Sequence, residues 1–166
     1  MRKLGVTTEH RLSMIKNLAS DLLWYGKIET TVTRAKEVQK YAEKLITLAV
    51  NTYDDKMEVE KITKKDGKEV TIKTINDGPK RLAARRKMMS KLADIQEKKL
   101  DKESKSEYAA RTKDVNHPLM EKMFGEYGPK YAARAKELGQ GGGYTRIYKL
   151  GMRRGDAAEM AIITLV

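Results

Sequence analysis

Apolar positions along this chain fall into two periods, and the switches between them lay out its elements. Leu12, Ile15, Leu18, Ala19 and Leu22 recur every three or four residues, which predicts a helix capped by Thr7 and closed at Gly26. From Lys27 to Val32 the period drops to two, with Ile28, Thr30 and Val32 on one face and Glu29 and Thr31 on the other, as in a half-buried strand. Helical spacing then returns. Thr33 can cap a second helix whose Ala35, Val38, Ala42, Leu45 and Ala49 form a heptad-like seam, widened by Tyr41 and Leu48.

The period of two reappears in Met57-Glu58-Val59 and Val70-Thr71-Ile72, with Asp66-Gly67 between them, and predicts a separate β-hairpin that projects as an insertion over about 51–78. Asn76-Asp77-Gly78 punctuates, and Pro79 suits the first position of a third helix with apolar Leu82, Ala83, Met88, Met89 and Leu92. Residues 94–113 mix both charges. They read as a mobile segment whose middle, Asp101 to Glu107, is a solvent-exposed connection. His117-Pro118 opens a short helix with an apolar stripe of Leu119, Met120, Met123, Phe124 and Tyr127, which Gly128-Pro129 should break. Tyr131 to Leu138 adds a last helical piece before Gly139.

The C-terminal stretch reads as a glycine-rich hinge, a strand from Tyr144 to Leu150, a turn from Gly151 to Asp156, and Ala161 to Val166. That final run is apolar enough for an interior strand buried on both faces. The order of elements predicts a two-layer α+β domain over 1–166, with helices on one face of a small mixed sheet.

Charge changes the picture from fold to partner. The chain of 166 residues carries a formal net charge of +12, which calls for a polyanion. The excess is uneven: +4 over 1–50, −1 over 51–78, +7 over 79–113, none over 114–138 and +2 over 139–166. The predicted hairpin is left out of it. No apolar run approaches the roughly 20 residues of a membrane-spanning helix, and the N-terminus lacks a signal-peptide core, so a soluble intracellular protein without a membrane partner is expected. There is no cysteine, and the two histidines, His10 and His117, cannot build a histidine-rich metal site.

Candidate chemistry follows the cations. Arg34 and Lys36 sit in the first turn of the second helix, where its dipole does not favour them, and so point to an external anion that Thr30, Thr31 and Thr33 can also bind. Lys80, Arg81, Arg85, Arg86, Lys87 and Lys91 crowd the third helix with no acid among them. Arg146, Lys149, Arg153 and Arg154 line the last hairpin beside Tyr144, whose ring and neighbouring glycine amides suit a base or phosphate. That hairpin alone fits a solvated basic face as well as an RNA-binding one. An enzyme is disfavoured: Gly139-Gln140-Gly141-Gly142-Gly143 lacks the Lys-Ser or Lys-Thr of a phosphate loop and leads into a strand, and no nucleophile and base pair up. No cofactor or small-molecule substrate is expected. A free nucleic-acid-binding regulator fits the basic helix, but no helix-turn-helix pattern supports it.

Three motifs in order, GKIETTVTRAKEVQKYAEKLITLA at 26–49, GPKYAARA at 128–135 and GGYTRI with GMRRGDAAEMA at 142–147 and 151–161, resemble the bacterial-type large-subunit ribosomal protein seventeen family. The resemblance covers about three quarters of the chain. It implies an α-β-α-β-β domain bound to large-subunit ribosomal RNA beside neighbouring large-subunit ribosomal proteins, on the solvent side near the nascent-chain exit region. The role it implies is structural, in translation, on cytoplasmic ribosomes. The RNA contacts it implies are Arg2, Lys3, Arg11, Lys16, Thr31, Thr33, Arg34, Lys36, Arg81, Arg85, Arg86, Lys87, Tyr144, Thr145, Arg146, Arg153 and Arg154. The chain departs from shorter family members in the hairpin at 51–78, the charged segment at about 92–113, the residues before GGGYTRI, and a short N-terminal arm.

Overall fold

In a computed structural model of the chain, residues 2–65, 68–113 and 115–166 are described, with the backbone alone over 61–65 and 68–72. Helix α1, Thr8–Tyr25, buries Ile15, Ala19, Leu22 and Leu23 and ends at Gly26, whose φ of 79° only glycine adopts without strain. Leu12, expected in the core, is exposed, because burial on this helix begins at Ile15. Strand β1, Lys27–Thr31, passes into helix α2, Val32–Val50, so the cap position falls on Thr31 rather than Thr33. The seam of Ala35, Val38, Ala42, Leu45 and Ala49 is buried along its whole length, with Tyr41 and Leu48 at its margin.

The last hairpin pairs β4, Thr145–Met152, with β5, Glu159–Leu165, and β1 lies on the other side of β5. Both pairings are antiparallel, so the expected mixed sheet is antiparallel throughout. β5 is the interior strand as expected, but only Ala161 and Ile163 are fully buried. Its other face, with Met160, Ile162 and Thr164, is half open, because the helices pack on one side of the sheet alone. Helices on one face and a three-stranded sheet make the α+β two-layer architecture.

The predicted hairpin forms a sheet of its own, β2 Lys56–Lys65 against β3 Lys68–Asp77. Its Asp66-Gly67 turn lies outside the described residues. At its base Gly78 donates its N–H to the Asp55 carbonyl at 2.8 Å, and the Asp55 carboxylate accepts the Lys80 N–H, also at 2.8 Å. Pro79 opens helix α3, Pro79–Lys91, at its first position. The face of α3 that packs is Ala84 and Met88, while Leu82 and Met89 are exposed. Beyond α3, the buried Ser20 hydroxyl accepts the Ala93 N–H at 2.8 Å and fastens the chain to α1.

Two local expectations fail for identifiable reasons. Within the expected connection, Lys105–Thr112 is a helix, α4, nucleated by a capping box between Ser104 and Glu107 that the charge mixture concealed. Gly128-Pro129 does not break the chain: α5, Pro118–Lys122, runs through a π-helical turn, Met123–Tyr127, into α6, Gly128–Leu138. A proline in a first turn loses no helical hydrogen bond. Gly128 is there for space, since an added Cβ would stand 2.6 Å from the Tyr53 Cβ. Gly128→Ala gains about 1 kcal/mol of helix propensity but overpacks at a cost of about 1–3 kcal/mol. The expected outcome is a lower urea midpoint, and an unchanged midpoint would show that Tyr53 yields.

Candidate nucleic-acid interface

The sequence sets up an uncapped positive end at the junction of β1 and α2. Burial of Val32 and Ala35 fixes the helix so that Thr33, Arg34 and Lys36 face outward. Thr31 holds the cap position without capping, its hydroxyl lying instead 3.3 Å from the Thr33 hydroxyl. No acid occupies the first turn. The leading amides of α2 therefore keep their donors for an outside acceptor, in the positive end of the helix dipole. Arg34 and Lys36 enter no ion pair among the described residues.

Two distant parts of the chain close around this junction. An open depression of about 430 Å³ is lined by Arg2 and Leu4 from the N-terminal arm, Thr31, Thr33 and Arg34, and Arg153, Asp156 and Ala158 from the β4–β5 turn. The arm is folded by Leu4 and Gly5, both at positive φ. The turn is held by the Ala157 N–H donating to the Arg153 carbonyl and the Arg153 N–H donating to the Ala158 carbonyl, each at 3.1 Å. Arg153 forks onto Asp156 at 2.6 and 2.7 Å. That fork, with the Ala158 N–H, pulls the Asp156 carboxyl down to about 2, and Asp156 in turn raises Arg153. One cation of the group is thus already matched, while Arg2, Arg34 and the helix end stay positive. An anion with several oxygens fits such a surface; a phosphate is the common one.

The remaining candidates divide by what they touch. Lys3, Arg146 and Arg154 are exposed. Arg86 and Lys87 are exposed on α3, and Lys87 lines a second groove of about 340 Å³ with Lys44, Lys91, Tyr41, Leu45 and Leu48. On α1, Lys16 and Arg11 are half-buried, and the Arg11 Nε has no acceptor among the described residues.

Four candidates are engaged inside the fold. Tyr144 is 4% exposed, its ring 4.8 Å from that of Tyr131, which leaves no face for a base. The buried Thr145 hydroxyl donates to Glu43 at 2.8 Å and accepts from Gln39 at 2.9 Å, tying β4 to α2. Arg81, 8% exposed, stands with its Nε 3.0 Å from Asp77, off line for a hydrogen bond, and stacks over Phe124 at 4.9 Å. Arg85 pairs with Asp77 and, at 2.6 Å, with Glu121, and also lies over Phe124. Burial works to lower Arg85, but hydrogen bonds to the two carboxylates outweigh it and raise it. The acids missing from the run on α3 thus arrive from β3 and α5. Glu121, 36 residues away from Arg85, leaves no local signal; Asp156, three residues after Arg153, does.

A family model described as ribosomal protein L17 matches residues 14–166. The chain belongs to the ribosomal protein L17 family. Among L17 relatives, it is 39% identical to the large ribosomal subunit protein bL17 of Lachnospira eligens, over 99% of this chain and 98% of that one. It is 37% identical to the bL17 of Acetivibrio thermocellus, over 99% and 98%, and 39% identical to that of Clostridium novyi, over 99% and 96%. The Clostridium alignment spans 165 residues, so a length close to that of this chain recurs within the L17 family.

If Arg81 and Arg85 serve the fold, Asp77→Ala strands the largely buried Arg81 guanidinium and leaves Arg85 to Glu121 alone. Breaking such a pair costs about 3 kcal/mol, read as a lower urea midpoint. An unchanged midpoint with tighter RNA binding would instead release both arginines to phosphate.

Proposed function

We propose that this chain is an architectural component of the large ribosomal subunit that binds large-subunit ribosomal RNA, with the open end of α2 as the centre of its phosphate contacts. The observation that carries the reading is the depression at that end, where arm, helix start and hairpin turn bring Arg2, Arg34 and Arg153 beside Thr31 and Thr33. Arg11, Lys16, Lys3, Lys36, Arg86, Lys87, Arg146 and Arg154 extend the contact surface. Membership of the L17 family and relatives named for the large subunit support the ribosome as the setting. The resemblance supports cytoplasmic ribosomes, a place near the nascent-chain exit region, and neighbouring large-subunit proteins as further partners. Positioning RNA, rather than chemistry on it, is the role such a surface can perform.

Sedimentation of a lysate through a gradient tests the setting. Stoichiometric recovery in large subunits after a high-salt wash is expected, whereas recovery mainly in the free fraction would promote a free nucleic-acid-binding regulator.

The interface makes a quantitative prediction about salt. Each neutralised phosphate contributes roughly 0.7 to 0.9 to the log–log slope of affinity against salt. Arg34→Ala with Lys36→Ala should therefore lower the slope for folded large-subunit ribosomal RNA by roughly 1.4 to 1.8. An unchanged slope would remove both residues from the interface.

A further inference from the structure

The sheet has a second face, on which Lys27, Glu29, Arg146 and Tyr148 stand exposed. Register fixes its contents. Lys27 and Arg146 flank Thr164 in one row, Tyr148 lies beside Ile162 in the next, and Thr31 lies beside Met160 in the third. Ala161 and Ile163 point the other way, into the core. Tyr148 is 50% exposed, while Ile162 and Met160 beside it are half-buried.

We propose that this face receives an unstacked base of the large-subunit ribosomal RNA on the ring of Tyr148, with Arg146 and Lys27 toward the adjoining phosphates. The inference rests on the reading that the depression at α2 binds the phosphates of the same RNA. An exposed aromatic ring on an apolar floor, bordered by cations, stacks a base of any type. Tyr144, the aromatic nearest the glycines, is spent on the core, which leaves Tyr148 as the ring this ribbon presents.

Thr31 links the two sites, since it lines the depression and also belongs to this face. From Thr31 to Tyr148 is two strands across and two residues along, about 12 Å from standard sheet spacings. An extended dinucleotide covers that distance. The free edge of β4 offers a poorer site for an added peptide strand, because the register shifts between Lys149 and Gly151 and the bulge breaks its ladder. One acid, Glu29, shares the Ile162 row on the far strand, so the cations favour the Arg146 end.

The test compares Tyr148→Leu with Tyr148→Phe in the full chain, measuring affinity for folded large-subunit ribosomal RNA across a salt series. Leucine keeps the apolar surface and removes the stacking ring; phenylalanine keeps the ring. Loss of one stacked base corresponds to roughly fivefold to a hundredfold weaker binding. Such a loss is expected for Tyr148→Leu with the salt slope unchanged, while Tyr148→Phe stays near the parent. Parental affinity for Tyr148→Leu, while the Arg34 and Lys36 variants still lower the slope, overturns this inference and leaves the phosphate reading standing. Parental RNA affinity together with poor retention in large subunits would assign the face to a protein neighbour, and overturns it too. Absence of salt-dependent binding by the parent chain takes down both.

Discussion

Ala35, Ala42 and Ala49, spaced seven apart on α2 and wholly buried, let the helix lie close against what packs on it. Small side chains on that line set the approach distance, and a larger one would have to displace a packed layer. The same helix touches β1, β4, β5, α1, α3, α6 and the π-helical turn. Thr145 then locks the last hairpin to it through Glu43 and Gln39. With α2 immobilised along its length, its uncapped first turn is held in one place. The hairpin turn and the N-terminal arm can then complete a site there. Core packing and the proposed anion site are two ends of one constraint.

The positive charge does two kinds of work. Arg81 and Arg85 are neutralised by Asp77 and Glu121 over the Phe124 ring, and Lys122 donates to the Trp24 carbonyl at 2.8 Å. Arg111 is gripped by Glu97 and Glu103. These groups are stabilised where they are, and moving one of the arginines to a phosphate would strand its carboxylate. Arg2, Lys3, Arg34, Lys36, Arg86, Lys87, Arg146 and Arg154 carry the outward charge instead. A net charge of +12 therefore does not state how many cations are free to meet a polyanion.

The two segments read as additions to the domain make hydrogen bonds of their own. The hairpin pairs β2 with β3. Around α4, Ser104 and Glu107 cap each other and the Tyr108 hydroxyl donates to the Glu97 carbonyl at 2.8 Å, while no residue of the helix is buried. Segments that complete their own hydrogen bonds and bury little can be added to a domain without disturbing its core.

Periodicity by itself determined most of the architecture. The seam on α2, the strand that precedes it, the glycine after α1, Pro79 at a helix start and the final ribbon were all legible, because each is dictated by local spacing or backbone stereochemistry. The family motifs and the charge named the class of partner. What only the tertiary structure decided is which polar groups are already taken. Tyr144 and Thr145 look like surface residues in a basic ribbon, yet one packs on Tyr131 and the other bonds to α2. Arg81 and Arg85 look unpaired until β3 and α5 supply their acids. Asp77 stands only four residues before Arg81, but Glu121 lies 36 residues from Arg85, and Glu43 and Gln39 lie 102 and 106 from Thr145, so no local pattern encodes those pairings. The same holds for the meeting of Arg2, Arg34 and Arg153, which folding alone brings to one depression.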